Sequence, residues 1–266
     1  MIETICGSED LLNLSSFRLT RVTTYPTEVR MSADAERNPF GIDMSRVWLF
    51  DIDGTLVSFG GAGSLAMGRA LEETFQVNAC LDAVSFAGRT DFAITRDIFA
   101  AHSIEFESET ITAFYDCYLQ HSPVAMTSCN GTVLPGVRSL LDVLQNTTDQ
   151  LGILTGNMQL AAEIKLRHFG IDGYFSFGGF GGEHENRNDV AAEAVTQLQR
   201  ITAADVEPAS VWVIGDTPND IACARSQKLN AVAVATGSYS VDTLAEYEPD
   251  VLLESLERLE IEEFRV

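Results

Sequence analysis

The stretch V-W-L-F-D-I-D-G-T-L, from Val47 to Leu56, decides how the chain is interpreted. Its first four residues are apolar and predict a buried strand. Asp51 and Asp53 follow on either side of Ile52, and Gly54 permits a turn. Two carboxylates at one strand end repel each other, so holding them close requires a cation or a proton. An Asp-Gly turn at a polar strand end would give part of this pattern, but the full string favours a catalytic site with a divalent metal.

The composition limits the classes of partner. The chain has 266 residues, 45% of them hydrophobic, and a formal net charge of −22 from 39 acidic and 17 basic residues. Such an acidic surface repels nucleic acid and anionic membranes, so we expect neither as a partner. The same field repels a phosphorylated substrate. Any anion site must therefore be built locally from metal, arginine and backbone N–H groups.

The sequence also indicates the compartment. It contains no uninterrupted apolar run close to the length that spans a bilayer, and its N-terminus lacks a basic region followed by an apolar one. Neither membrane insertion nor secretion is expected. The five cysteines are odd in number and show no C-x-x-C spacing. We interpret them as reduced thiols in a cytoplasmic protein.

Three segments differ in their patterns. Residues 1–45 mix polar residues with two prolines and show no sustained period, which predicts a poorly ordered leader. Residues 60–130 carry apolar residues at helical spacing. A helical block of that size between two strands is too long for a simple crossover, so we expect an inserted all-helical cap domain. Residues 46–59 and 131–266 would then form the catalytic core.

From Gly131 onwards, strand-like and helix-like segments alternate. The segments predicted as strands are Leu151 to Leu154, Tyr174 to Phe177, Val211 to Ile214, Ala231 to Val234 and Val251 to Leu253. Such alternation predicts an α/β fold, a doubly wound parallel sheet with helices on both faces. Ligands bind at the carboxyl ends of the strands in such sheets.

Two further polar clusters follow predicted strands. Thr155-Gly156-Asn157 supplies a hydroxyl and a small turn whose amides could face an anion, although a helix cap would explain Thr155 equally well. G-D-T-P-N-D, from Gly215 to Asp220, delivers two carboxylates to another strand end. A helix cap at Asp216 explains the first of them but leaves the second unexplained. Oxygen ligands in this number suit Mg²⁺.

These strings together resemble the haloacid dehalogenase-like phosphohydrolase superfamily. The resemblance rests on D-I-D-G-T-L at 51–56, T-G-N at 155–157 and G-D-T-P-N-D at 215–220, in the family's order, and covers nearly everything after residue 46. It implies a Rossmann-like core with a helical cap inserted just after the first motif. It also implies Mg²⁺-dependent phosphoryl transfer through an aspartyl-phosphate, most similar to that of phosphoglycolate phosphatases.

The resemblance assigns roles to the two acids of the first motif. Asp51 would be the nucleophile and a metal ligand, and Asp53 the general acid and base. The backbone carbonyl of Asp53 would also bind Mg²⁺. The chemistry agrees, because a carboxylate is a recognised covalent nucleophile and a second, partly desolvated Asp can hold a proton.

The later motifs would hold phosphate and metal. By resemblance, the Thr155 hydroxyl and the Gly156 and Asn157 amides would bind phosphate oxygens. Asp216 would bind the metal, and Asp220 would contribute to the metal site through water or an indirect contact.

One feature departs from the family. A lysine usually lies between the second and last motifs and pairs with the nucleophile and phosphate. In this chain Lys165 lies early in the predicted helix after Thr155 and Lys228 lies beyond Asp220, so neither fits that position. Arg187 occupies the right region and carries a permanent cation whose fork suits phosphate. We therefore assign it the lysine's role, against the alternative of a surface arginine near a helix start.

The string F-A-G-R-T-D, from Phe86 to Asp91, is the expected specificity loop of the cap. Arg89 could meet a second anionic group of the substrate, or could be a solvated arginine in a turn that Asp91 caps. We give no histidine a catalytic role, including His184 near Arg187.

These observations predict a cytoplasmic, Mg²⁺-dependent phosphatase acting on a small phosphorylated metabolite. A sugar-phosphate mutase of the same superfamily shares the core residues and is the alternative enzyme. A catalytically silent binding or regulatory protein is a third possibility, but it would not need all five of Asp51, Asp53, Thr155, Asp216 and Asp220.

Overall fold

A computed structural model describes residues 46–202, 206–261 and 264 of the chain. The predicted leader, residues 1–45, lies outside the described residues. Six parallel strands form the main sheet in the order β5-β4-β1-β6-β7-β8. Their bounds are Val47–Phe50 (β1), Gln150–Thr155 (β4), Phe177–Phe180 (β5), Val211–Gly215 (β6), Asn230–Val234 (β7) and Val251–Leu253 (β8). A separate antiparallel pair joins β2 (Val57–Ser58) to β3 (Thr132–Val133).

The strand order makes β1 the topological switch point. Successive strands add to one side of β1 as β4 and β5 and to the other side as β6, β7 and β8. Loops after β1, β4 and β6 therefore meet at one edge of the sheet. In open α/β sheets this edge carries the ligand site.

Side chains of β1 alternate between the two faces of the sheet, which accounts for its wholly apolar sequence. The helices after β3 are Val137–Gln145 (α4), Gln159–His168 (α5), Arg187–Thr202 (α6), Pro218–Ser226 (α7) and Val241–Ala245 (α8). Trp48 and Phe50 belong to one buried cluster, with apolar residues of α4 and α5. Val47 and Leu49 belong to the other, with apolar residues of α6 and α7. Both faces of the sheet are thus covered.

The doubly wound α/β fold predicted from the sequence is confirmed, and one strand was misplaced. The predicted strand at 174–177 begins only at Phe177, because Asp172–Tyr174 forms a 3-10 turn. The strand itself has the sequence F-G-G-F, in which two central glycines leave too little apolar character to have indicated a strand.

Three helices occupy the segment predicted as a cap. They are Ala62–Phe75 (α1), Asp91–Ala101 (α2) and Ser108–Ser128 (α3). Buried residues of all three, such as Leu71, Phe99 and Phe114, belong to the same apolar cluster as Phe50 of the sheet. The helical content agrees with the sequence pattern, and the division into cap and core domains stays a prediction.

Two further features bear on the sequence predictions. Among the described residues, no helix has the length and apolar character needed to cross a bilayer. The cysteines in this part of the chain, Cys80, Cys117, Cys129 and Cys223, are free thiols, and Cys6 lies outside it.

Candidate active site

The strands β1, β4 and β6 deliver polar residues to one edge of the sheet. Phe50 is in register with Ile153 of β4 and Ile214 of β6, so the residues that follow these positions lie side by side. Asp51 continues β1 by donating its backbone N–H to the Ile214 carbonyl at 2.9 Å. Thr155 ends β4 and Asp216 follows β6. The sequence alternation thus brings the three motifs together.

Four side chains at this edge form what we call the inner cluster: Asp51, Asp216, Asp220 and Arg187. One carboxylate oxygen of each aspartate lies within 4.8 Å of one from each of the others, and all three side chains are buried. Arg187 Nη2 lies 2.9 Å from Asp51 Oδ1 and 2.5 Å from Asp220 Oδ1. Arg187, at the first turn of α6, is itself 6% exposed. It therefore pairs with the residue predicted to be the nucleophile.

Neighbouring groups fix the orientation of the two acids after β6. Thr55 donates its hydroxyl hydrogen to Asp216 Oδ1 at 3.1 Å. Gly54, with φ of 84°, packs so closely that a Cβ there would lie 2.5 Å from Asp216 Oδ2. Asp220 Oδ2 accepts from the Thr217 N–H at 3.0 Å and the Thr217 hydroxyl at 2.7 Å, which caps α7. Both Asp220 oxygens thus have protein partners, consistent with the indirect metal role expected for this residue.

The inner cluster carries an excess of negative charge. Three carboxylates and one guanidinium leave a formal charge of −2 in a buried space. Burial raises the pKa of Asp51 to about 6, against the opposing effect of Arg187. Burial, with repulsion from Asp220 and Asp51, raises the pKa of Asp216 to about 8. Without a further cation, the raised pKa of Asp216 therefore favours its protonated form near neutral pH.

This donor set fits a magnesium ion. Mg²⁺ prefers carboxylate oxygens, usually takes only one or two of them, and would balance the excess charge. Its binding would require deprotonated ligands, so the raised pKa values predict that binding releases protons. The site also contains an unused hydrogen-bond donor. Arg187 Nε is buried and has no hydrogen-bond partner among the residues that the structure describes.

Asp53 does not join the inner cluster. Its carboxylate oxygens accept from Lys165 Nζ at 2.6 and 2.8 Å, and we call these two residues the outer pair. Lys165 also donates to Asn157 Oδ1 at 2.9 Å. The Asp53 side chain is 42% exposed, whereas that of Lys165 is 7% exposed. The two acids of the first motif thus face different surroundings.

The loop Thr155-Gly156-Asn157 contacts the segment before α2. The Gly156 carbonyl accepts from the Asp91 N–H at 2.7 Å. A Cβ on Gly156 would lie 1.9 Å from the Arg89 carbonyl oxygen, so only glycine fits. The Asp91 carboxylate accepts from the Met158 N–H at 2.8 Å, at the start of α5. The predicted specificity loop therefore lies directly on the predicted phosphate loop.

Arg89 and His184 have partners of their own. Arg89 pairs with Asp97 at 2.7 Å, and its guanidinium donates to two backbone carbonyls nearby. It still lines the cavity of about 550 Å³ into which Asp51 and Asp53 open. His184 lies 3.2 Å from Glu193, a contact outside the inner cluster.

The sequence interpretation missed three contributors to the site. Lys165 was excluded because it lies early in the helix after Thr155, and Asp91 was expected to cap its own helix. In the structure Thr90 is that cap, and it accepts from the Ala93 N–H at 3.1 Å. Helical spacing could have indicated Lys165, since it shares the buried face of α5 with Ala161 and Ala162. Nothing in the sequence apart from its place in the first motif indicated that Thr55 contributes to the site.

Comparison with known proteins finds a partial match to a curated relative. A phosphoglycolate phosphatase from Synechococcus elongatus is 32% identical to the chain over 123 residues. That match covers 46% of this chain and 55% of the relative, so the chain spans about half the length of the curated relative it matches.

Solved structures share the fold at low sequence identity. One, described as a predicted phosphoglycolate phosphatase from Haemophilus somnus, has a TM-score of 0.61 at 21% identity and covers 82% of this chain and 97% of its own. Another, assigned as a beta-phosphoglucomutase from Thermotoga maritima, has a TM-score of 0.54 at 20% identity, with 80% and 95% covered. These likenesses establish the fold.

The family is established by a match over most of the chain. The model of haloacid dehalogenase-like hydrolases matches residues 48–225, a range that includes all three motifs and Arg187. The resemblance inferred from the motifs is confirmed, and the chain belongs to the haloacid dehalogenase-like hydrolase family.

Proposed function

We propose that the chain is a Mg²⁺-dependent phosphatase that hydrolyses a small phosphomonoester, similar to phosphoglycolate, through a phosphorylated aspartate. The observation that carries this proposal is the inner cluster, where three buried carboxylates share one guanidinium. The similarity to the Synechococcus elongatus phosphoglycolate phosphatase supports the substrate class. We expect the enzyme to act in the cytoplasm, without nucleic acid or membrane as a partner.

The two acids of the first motif divide the chemistry between them. An oxygen of Asp51 attacks phosphorus, the bond from phosphorus to the ester oxygen breaks, and Asp53 gives its proton to that oxygen. Asp53 then takes a proton from water, whose oxygen attacks phosphorus and releases inorganic phosphate and Asp51. Asp51 is buried beside Arg187 and Asp53 is open to the cavity, as a nucleophile and a proton carrier require.

Other residues would hold the metal and the phosphate. Asp51 and Asp216, with the Asp53 carbonyl, would bind Mg²⁺, which supplies charge neutralisation for the transferring phosphoryl group. Asp220 orients Arg187, and Arg187 meets charge that develops on the phosphate oxygens. Thr155 and the Gly156 and Asn157 amides would bind the remaining oxygens. Arg89 would face the distal end of the substrate once released from Asp97.

Phosphate release tests this proposal. Small phosphomonoesters, with 2-phosphoglycolate among them, are incubated with the enzyme in millimolar Mg²⁺ and the inorganic phosphate is measured. We expect release that EDTA abolishes and Mg²⁺ restores. Full activity in EDTA would refute the proposed chemistry.

Substitution of the nucleophile gives a second test. Asp51→Asn should lower kcat by at least about 10⁴-fold, because the amide cannot form the covalent intermediate. Asp116→Asn, which changes an exposed aspartate of α3, is the matched control and should retain activity. Ordinary turnover by Asp51→Asn would exclude Asp51 as the nucleophile.

The runner-up is a sugar-phosphate mutase, because a fold neighbour is assigned as a beta-phosphoglucomutase. A mutase protects its phospho-enzyme from water and releases little inorganic phosphate. Quantifying both inorganic phosphate and isomerised sugar phosphate in one reaction separates the two activities.

A further inference from the structure

We propose that Lys165 is a positioning residue for Asp53, which it holds in the orientation needed to protonate the leaving group. This inference rests on the proposed function, since it concerns the proton that Asp53 gives to the ester oxygen. Lys165 would then orient Asp53, as Arg187 orients Asp51.

The contacts of the ammonium group support this role. Lys165 Nζ lies 2.6 and 2.8 Å from the two oxygens of Asp53 and 2.9 Å from Asn157 Oδ1. An ammonium group has three N–H donors, so these acceptors use all of them. Asn157 must present its oxygen to a group that only donates, which leaves its amide hydrogens available to another acceptor. Lys165 thus ties the proton carrier to the predicted phosphate loop.

The burial of the outer pair is asymmetric. Lys165 is 6% exposed on α5, and its ammonium lies 4.9 Å from the centre of the Phe59 ring. A buried ammonium is costly unless it is paired, so its position is set by its partners. Asp53 retains 42% exposure of its side chain. Both carboxylate oxygens of Asp53 are therefore held by a buried cation, while part of the side chain remains open to the cavity.

A structural salt bridge is the competing explanation, and it predicts a different pattern of kinetics. Loss of a structural contact would reduce activity on every substrate by a similar factor. Loss of Asp53 positioning would matter most where the leaving oxygen needs a proton. Alkyl phosphates have strongly basic leaving groups, whereas 4-nitrophenyl phosphate has a leaving group that departs as an anion.

The experiment compares kcat/KM for 2-phosphoglycolate and 4-nitrophenyl phosphate in the full-length enzyme with Mg²⁺. For Lys165→Met we expect a loss on the alkyl ester of about 10²-fold, and at least about tenfold more than on the aryl ester, as general acid catalysis predicts. Lys165→Arg should recover part of the alkyl activity, because it retains a cation. Lys228→Met changes the exposed second lysine and should behave as wild type.

Two further variants keep the result interpretable. Asp53→Asn should show the same preference for the aryl ester, and adding Lys165→Met to it should cause little further loss of alkyl activity. Equal losses on both esters in Lys165→Met, or independent losses in the double variant, would overturn the role of Lys165. If Lys165→Met does not fold by circular dichroism, Lys165→Arg decides the question: a loss larger on the alkyl ester than on the aryl ester supports the proposal, and equal activity on both esters relative to wild type refutes it. A wild-type enzyme inactive on both esters would instead refute the proposed function.

Discussion

The inner cluster and the outer pair lie at the same sheet edge but differ in net charge and in burial. The inner cluster buries three carboxylates against one guanidinium, with a formal charge of −2. The outer pair matches one carboxylate with one ammonium and leaves the carboxylate open to the cavity. The excess charge of the first favours a divalent cation, whereas the neutral second pair needs none. Two aspartates separated by one residue thus differ in their chemistry, because each has different neighbours.

The difference also explains why the chain can do without the family's usual lysine. Arg187 meets Asp51 and Asp220 through one nitrogen, Nη2, so a single guanidinium orients two acids of the inner cluster. Burial acts to lower the pKa of Arg187, but its attraction to Asp220 and Asp51 together raises that pKa above its usual value. The Arg187 guanidinium is therefore charged at neutral pH.

Removing Arg187 is expected to have the largest effect on this comparison. Arg187→Ala would leave Asp51 and Asp220 buried without their cation, and should lower kcat/KM by about 10²–10³-fold and stability by about 3–5 kcal/mol. Steady-state kinetics and urea unfolding measure the two losses. Arg187→Lys retains charge without the fork and should lose about tenfold.

Arg200→Ala, an exposed change on the same helix α6, is the control and should leave both quantities near wild type. Ordinary turnover by Arg187→Ala would mean that the inner cluster does not need its guanidinium.

The next test concerns the loop between the two groups. Gly156→Ala would place a Cβ 1.9 Å from the Arg89 carbonyl, so the segment before α2 must shift. We expect kcat/KM to fall by about tenfold and stability by about 1–3 kcal/mol, as for overpacking. Gly173→Ala adds a Cβ with no heavy atom within 4 Å and should change stability by less than about 0.5 kcal/mol. Equal behaviour of the two variants would contradict the contact.

The last test changes stability with pH and no catalytic group, and it concerns Asp91, a buried carboxylate beside the outer pair. Burial raises its pKa to about 6 from 3.8, so the folded state binds more protons than the unfolded state between these values. Stability from this group is therefore greatest below pH 4 and falls as the pH rises through 6. Asp91→Asn keeps an acceptor for the Met158 N–H and should be more stable than wild type above pH 6, by up to about 3 kcal/mol.

Thermal unfolding of Asp91→Asn and wild type between pH 4 and 8 measures this difference. We expect the gap to close as the pH approaches 4, where the Asp91 carboxyl is neutral in both states. A constant gap across this range would show that the ionisation of Asp91 does not affect stability.

Much of the fold and part of the site could be predicted from local patterns. Apolar runs followed by acids located β1 and β6 to within a residue, because a buried strand and its polar end are adjacent in the chain. Arg187 was identified from its interval, and the structure places it on Asp51. Lys165 was set aside, because the fold joins it to Asp53 across 112 residues. Asp91 was assigned to the wrong helix start for the same reason.

The sequence by itself determined the family, the doubly wound α/β architecture and the residues that carry charge at the strand ends, since these depend on short-range periodicity and on three local motifs. Only the tertiary structure decided that Asp51 is buried with Asp216, Asp220 and Arg187 while Asp53 is held by Lys165. The physical reason is that burial and ion pairing depend on which distant segments meet. In this chain the strand order β4-β1-β6 decides those meetings, and no stretch of local sequence encodes that order.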